Sequence, residues 1–266
     1  MEILAALLTS LLGLAGAPGA VIDNAATDLL RGQLVRADRL EVRVDNTPNF
    51  RILQGKVDRI RMAGRGLYIL PFLRIDSVDL ETDPISIDPD QVRSGQLKLL
   101  QPLQTAVRVV LKSEDLNLAL RSPTISKSFK GIKADLSSIT TGARAEEFDL
   151  IDPEITFLDG NRVRLKATVQ PIAKNAEGTK LETLVVAIET GLNVVGGTRL
   201  ELTEPKAIFR GVDVPKQITK AFVLTLNKLL DLRQLEASGI TARVLKFEVT
   251  QGKMQVIGFA RLEATK

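Results

Sequence analysis

The chain has 266 residues, 44% hydrophobic and 26% charged, with a formal net charge of +4. That length can bury about three quarters of the unfolded surface, as one large domain or two smaller ones. It contains no His, Cys or Trp, which excludes His-based triads, Cys nucleophiles, His/Cys zinc sites and disulfide frameworks. Aromatics make up only 4%, too few for base-stacking platforms.

Ile3 to Ile22 carries no charged side chain, and about 20 such residues suffice to span a bilayer. Gly13, Gly16, Pro18 and Gly19 weaken a helix over its second half. Glu2 is the one charge before Ile3, where a signal peptide carries basic residues. Residues 1–20 are thus expected to be an apolar segment, whether a membrane-associated helix, an anchor or a signal peptide. Residues 21–266 are expected to be a single α+β domain. Arg31, Arg36, Arg39 and Arg43 follow, and would keep the domain of a spanning segment on the cytoplasmic face.

A helix is expected next, with Val21, Ile22, Ala25, Ala26, Leu29, Leu30 and Leu34 on its apolar stripe and Asp23, Asn24, Thr27 and Asp28 opposite. The period then changes to two. Leu40, Val42 and Val44 alternate with Arg39, Glu41, Arg43 and Asp45, the pattern of a half-buried strand. A turn at Asn46–Asn49, a return strand at Phe50–Leu53 and strands through Ile60–Met62, Leu73–Ile75 and Val78–Leu80 follow, with a register break expected near Ser77. Gly64-Arg65-Gly66 reads as a bent strand or turn. Ala106 to Lys112 is a strand with both faces apolar, and Ser113 a helix N-cap. A mobile loop is expected near 137–147.

Strands return from Phe148. Asp159-Gly160-Asn161 marks a hairpin turn into Arg162–Gln170, where Val163, Leu165, Ala167 and Val169 share a face. Leu181–Ile188 and Arg199–Leu202 are further strands. Pro215 opens a second amphipathic helix with Ile218, Phe222, Leu226, Leu229 and Leu230 on its stripe. Ile240–Val249 and Met254–Leu262 form a last hairpin.

Motifs for chemistry are sparse. There is no P-loop, no dinucleotide fingerprint and no Ser nucleophile signature. The carboxylates Glu146, Glu147, Asp149, Asp152 and Glu154 match no calcium loop and read as a solvated linker. No catalytic residue, cofactor or metal is assigned, and the protein is not expected to be an enzyme.

The charge surplus is regional. Residues 31–65 hold nine basic and four acidic side chains, leaving 27 basic against 28 acidic elsewhere. Nucleic-acid binding needs a clustered basic face with aromatics or a motif, so no nucleic-acid partner is expected. Arg51, Lys56, Arg59, Arg61 and Arg65 are candidates for a headgroup or membrane surface, where each cation gains about 1 kcal/mol near anionic lipid. A solvated strand surface is the plainer reading.

Several strands are aliphatic on both faces. They nominate Leu40, Val42, Val44, Ile60, Met62, Val107, Val109, Val163, Leu165, Leu184, Val186, Ile188, Phe222, Leu226, Val256 and Phe259 as the lining of an elongated apolar cavity. A filled sandwich or barrel core is the alternative. Shielding an acyl chain of about 16 carbons from water is worth about 12 kcal/mol, at about 0.8 kcal/mol per methylene.

At Asn49–Leu67 (NFRILQGKVDRIRMAGRGL), Leu80–Ile85 (LETDPI) and Leu111–Asn117 (LKSEDLN), the chain resembles the LmeA-like family of phospholipid-binding proteins of actinobacteria and cyanobacteria. The likeness covers most of the chain and is greatest to cyanobacterial members. It implies a strongly curved antiparallel sheet wrapped around amphipathic helices, similar to tubular lipid-binding domains. Phospholipid is the implied ligand, held or transferred at a membrane or the cell envelope. A ligand-free structural or adaptor protein and, last, a lipid hydrolase are the competing classes.

Overall fold

The computed structural model describes residues 19–93, 98–133, 147–172, 183–209, 212–213, 232–233, 236 and 239–264. Most of the expected leader, the loop near 137–147 up to Glu146, and the expected helix bearing Phe222 and Leu226 lie outside them.

The chain runs α1 (Gly19–Gly32), β1 (Arg36–Asp45), a 3₁₀ turn (Asn49–Gln54) in place of the expected return strand at Phe50–Leu53, β2 (Lys56–Val57), β3 (Arg59–Leu70), β4 (Leu73–Thr82), β5 (Ile85–Ser86) and α2 (Pro89–Arg93). Next come β6 (Leu103–Lys112), α3 (Ser113–Leu120), α4 (Pro123–Ser126), β7 (Ile132–Lys133), β8 (Glu147–Leu158) and β9 (Arg162–Pro171). The series ends with β10 (Leu184–Val195), β11 (Arg199–Phe209), β12 (Val212–Asp213), β13 (Ile240–Thr250) and β14 (Lys253–Leu262). The expected α+β class holds. The strands form two six-stranded sheets, ordered β1-β3-β4-β6-β14-β13 and β12-β11-β10-β9-β8-β7, plus the pair β2-β5. Among the described residues neither sheet closes into a barrel. The backbone divides into two compact units: residues 1–111, 232–246 and 255–266, and residues 112–231 and 247–254.

In the first unit, alternation along β1 puts Leu40, Val42 and Val44 into the core with Ile60 of β3, while α1 adds Ile22 and Ala26. The helix does more than pack. The Val44 N–H donates to Asp23 Oδ1 at 2.8 Å and the Val42 N–H to Thr27 Oγ1 at 3.0 Å. β1 is an edge strand, and its outward N–H groups need acceptors. Residues four apart on a helix lie about 6 Å apart along its axis, and strand residues two apart about 6.8 Å. Asp23 and Thr27 are therefore spaced to reach both amides. The helical pattern had placed these two on the solvent side.

Farther along, the inward residues change parity. Met62 and Gly64 of β3 are followed inward by Leu67, and Val78 of β4 by Ile75. Gly66 at φ +58° accompanies the change. β3 and β4 nevertheless stay in register there, with Arg65 opposite Ser77. The expected break near Ser77 is displaced: the shift falls between Tyr68 and Leu70, making Ile69 the extra residue.

In the second unit, β8, β9, β10 and β11 pair antiparallel around buried Phe157, Val163 and Thr190. β10 and β11 run longer than the sequence pattern suggests: β10 stays in register with β9 through Gly191, and β11 continues past Glu204 and Pro205, where it carries one extra residue against β10. The turn Asp159-Gly160-Asn161 forms as expected. Its side chains accept from the Gln251 N–H at 3.0 Å and the Val249 N–H at 2.7 Å. α3 starts at Ser113, with Lys112 in the N-cap position and no capping side chain, so Ser113 is not the cap. Its Asn117 exchanges two hydrogen bonds with the Ile155 backbone of β8, at 2.7 and 2.9 Å.

Candidate functional site

The end of α1 and the turn after it place Leu30, Gln33 and Leu34 over the inner face of the first sheet. Opposite them stand Leu40 of β1, Met62, Leu67 and Ile69 of β3, and Val78 of β4. Together they line a cleft of about 150 Å³. Seven of these eight side chains are aliphatic or thioether, so the cleft offers an apolar surface with almost no polar partner. Its volume is below the roughly 300–1,000 Å³ of whole-ligand pockets.

Of the sequence-nominated cavity residues, Leu40 and Met62 line this cleft. Val42, Val44 and Ile60 are buried in the core that includes α1. Pairing joins Val42 to Met62 and Val44 to Ile60 on one face; Val107, opposite Leu80, and Val109, opposite Val78, continue it. Val256 and Phe259 are half-buried on β14, an odd number of residues apart and so on opposite faces of a regular strand. In the second unit Val163 pairs with Thr190, Leu165 with Ile188, Ala167 with Val186 and Val169 with Leu184, giving one continuous row. Leu165, Val186 and Ile188 on it are half-buried. Phe222 and Leu226 lie outside the described residues.

Leu30, Gln33, Leu34, Leu67, Ile69 and Val78 were not nominated, although Leu30 and Leu34 stand on the apolar stripe expected for the helix. The uncharged run Tyr68-Ile69-Leu70-Pro71-Phe72-Leu73, which breaks the alternation, was the available signal for Ile69.

The outer face of the first sheet is charged. Arg39 sits directly opposite Arg65, and Arg43 opposite Arg61, a like-charge arrangement that destabilises unless neutralised. Carboxylates neutralise it. Arg39 pairs with Glu41, Arg61 with Asp45 at 2.7 Å, Arg59 with Glu81 at 3.0 Å, and Arg65 and Arg108 both with Asp79, at 2.7 and 2.9 Å. Among the headgroup candidates, Arg51 on the 3₁₀ turn pairs with Asp58, while Lys56 stands exposed on β2. A shallow depression of about 440 Å³ crosses this face, lined by three cations (Arg43, Arg61, Arg108) and three anions (Glu41, Asp79, Glu81) besides apolar groups. It presents no excess of either sign.

The titration behaviour agrees. Hydrogen bonding to Arg39 holds Glu41 below the usual carboxylate range, Arg36 does the same for Asp38, and Asp45 raises Arg61. Arg164 and Arg162 depress Glu189 in the second unit. Each of these shifts moves its group away from neutral pH, opposite to what a general acid or base needs. Among the described residues no three metal-ligating side chains cluster, and no helix is long and apolar enough to cross a membrane.

A profile described as LmeA-like phospholipid-binding matches residues 15–259. The chain belongs to this family. The match takes in both compact units and every strand up to β14. No curated protein and no solved structure matches the chain. The family is one of phospholipid-binding proteins, a ligand class that composition and fold leave open.

Proposed function

We propose that this protein is a non-enzymatic module that holds or transfers phospholipid at a membrane of the cell envelope, with residues 21–266 acting as one functional domain. The observation that carries the reading is the cleft under the last turn of α1, apolar on nearly every wall, in a chain of a phospholipid-binding family. Leu40 and Met62 contact an acyl segment there. The half-buried row Leu165, Val186 and Ile188 is a separate apolar surface within the second unit. Lys56 and the paired arginines face headgroups only as part of a charge-balanced surface.

Native mass spectrometry of gently purified protein tests the proposal. Co-purified phospholipid is expected. Met62→Trp, which fills the cleft, should lower lipid occupancy several-fold while a cooperative thermal transition is retained. A wild-type chain that carries no lipid and takes none up from vesicles removes the reading and leaves the structural or adaptor class.

A further inference from the structure

Hairpin ends are normally built from Gly, Asn, Asp and Pro, because a turn faces water. The end of the β3–β4 hairpin is built otherwise. From Tyr68 to Leu73 no side chain is charged, and Ile69 is 49% and Leu70 44% exposed. Val35, 57% exposed, is tied beside them by its N–H, which donates to the Tyr68 carbonyl at 2.9 Å. One exposed aliphatic residue needs no explanation; several at one hairpin end mark an interaction site.

The residues behind this end are ordered by polarity. Arg36 lies over the Tyr68 ring at 5.2 Å, Arg74 bridges Asp38 and Asp76, and Arg31 is exposed in the last turn of α1. A strand advances about 3.4 Å per residue, so Tyr68 sits about 7 Å behind Leu70. Interfacial elements bury about 5–10 Å of their apolar side, with tyrosine and basic residues at headgroup level. The hairpin matches that profile in depth and order. Ile69 also lines the apolar cleft, so the exposed end and the cleft are continuous. The two strands are paired to each other up to Leu70 and Leu73, so the end is a closed hairpin.

We propose that the β3–β4 hairpin end is a membrane wedge: Ile69, Leu70 and Pro71, with Val35, enter the headgroup–hydrocarbon boundary of a phospholipid bilayer and bring the cleft to the lipid. The choice of partner rests on the lipid-binding reading above.

The chain has no Trp, so Leu70→Trp in the full-length protein is a single fluorescent reporter, with exposed Leu118→Trp on α3 as control. Phosphatidylcholine vesicles, with and without phosphatidylglycerol, are the probe. The expected result is a blue shift of Leu70→Trp emission and its quenching by brominated acyl chains, with neither for Leu118→Trp. Leu70→Asp should lower vesicle flotation about tenfold or more, as loss of a buried leucine-sized contact implies, with an unchanged thermal transition. An unshifted Leu70→Trp on protein that floats assigns membrane binding to another surface and overturns the wedge. A blue shift that depends on protein concentration and appears without vesicles overturns it in favour of a second copy. Absence of flotation overturns it outright. Native mass spectrometry separates the two readings: Leu70→Asp that keeps its phospholipid but no longer floats supports both. Wild-type protein that floats through this end yet never carries lipid supports the wedge and removes the holding function.

Discussion

At Gly66 the backbone takes φ +58°, and a Cβ there would stand 2.0 Å from Asp38 Oδ2 and 2.6 Å from that carboxyl carbon. Two costs coincide: a left-handed conformation that β-carbon-bearing residues resist, and displacement of Asp38 from Arg36 and Arg74. Gly66→Ala should lower unfolding free energy by about 1–3 kcal/mol. The shift of a denaturant midpoint measures it, and an unshifted midpoint refutes the assignment. Glu189 gives a pH-dependent counterpart. Arg164 and Arg162 depress its folded-state pKa below the unfolded value of about 4.3. Its stabilisation is therefore fully present above that unfolded value and lost as pH falls through the lower, folded value. The chain has no His, so the melting temperature should stay nearly level from about pH 5 to 8 and fall below about pH 4. In Glu189→Gln the acid-side fall should be shallower. An unchanged profile argues that this ion pair is too solvated to matter.

Between α1 and β1 the same physics works at the level of elements. The amides of Val42 and Val44 point off the sheet edge, and Asp23 and Thr27 accept from them. Asp23→Ala and Thr27→Val should each cost about 1 kcal/mol, the usual net worth of one such bond. The double variant should also associate as concentration rises, because it exposes an unsatisfied strand edge. Light scattering at increasing concentration reads this directly, and a double variant that stays as monodisperse as wild type would show that the edge needs no cover. The helix itself was legible in its three-to-four spacing, and β1, β8, β9 and the final hairpin in their alternation. The role of Asp23 and Thr27 was not, since helical periodicity separates apolar from polar but cannot tell a polar group facing water from one facing a sheet edge. The lengths of β10 and β11 were hidden by Gly191 and by Pro205, residue types that disfavour strand interiors, whereas β10 pairs straight through the glycine and β11 absorbs Glu204-Pro205 as a bulge. The cleft was half legible. Leu40 and Met62 followed from alternation, whereas Leu67 and Ile69 face inward only because parity changes at Gly66 and a bulge falls at Ile69.

For the molecule as a whole, charge decides how a membrane can be held. Five basic side chains each gaining about 1 kcal/mol beside anionic lipid would add about 5 kcal/mol, a factor of several thousand, and salt would abolish most of it. Here Arg51, Arg59, Arg61 and Arg65 each face a carboxylate: Asp58, Glu81, Asp45 and Asp79. A surface neutralised pair by pair exerts little field beyond about 10 Å at ordinary ionic strength. Apolar contact is then the main source of affinity, and it does not weaken with added salt. Binding to phosphatidylglycerol-containing vesicles should therefore fall only a few-fold between low and about 0.5 M salt, by the screening argument. Lys56→Glu should cost little more than the single-cation increment, about 1 kcal/mol. Flotation across a salt series measures both. A fall of a hundredfold or more over that range would mean that the arginines leave their carboxylates for the membrane, and that the outer sheet face, rather than an apolar contact, carries the binding.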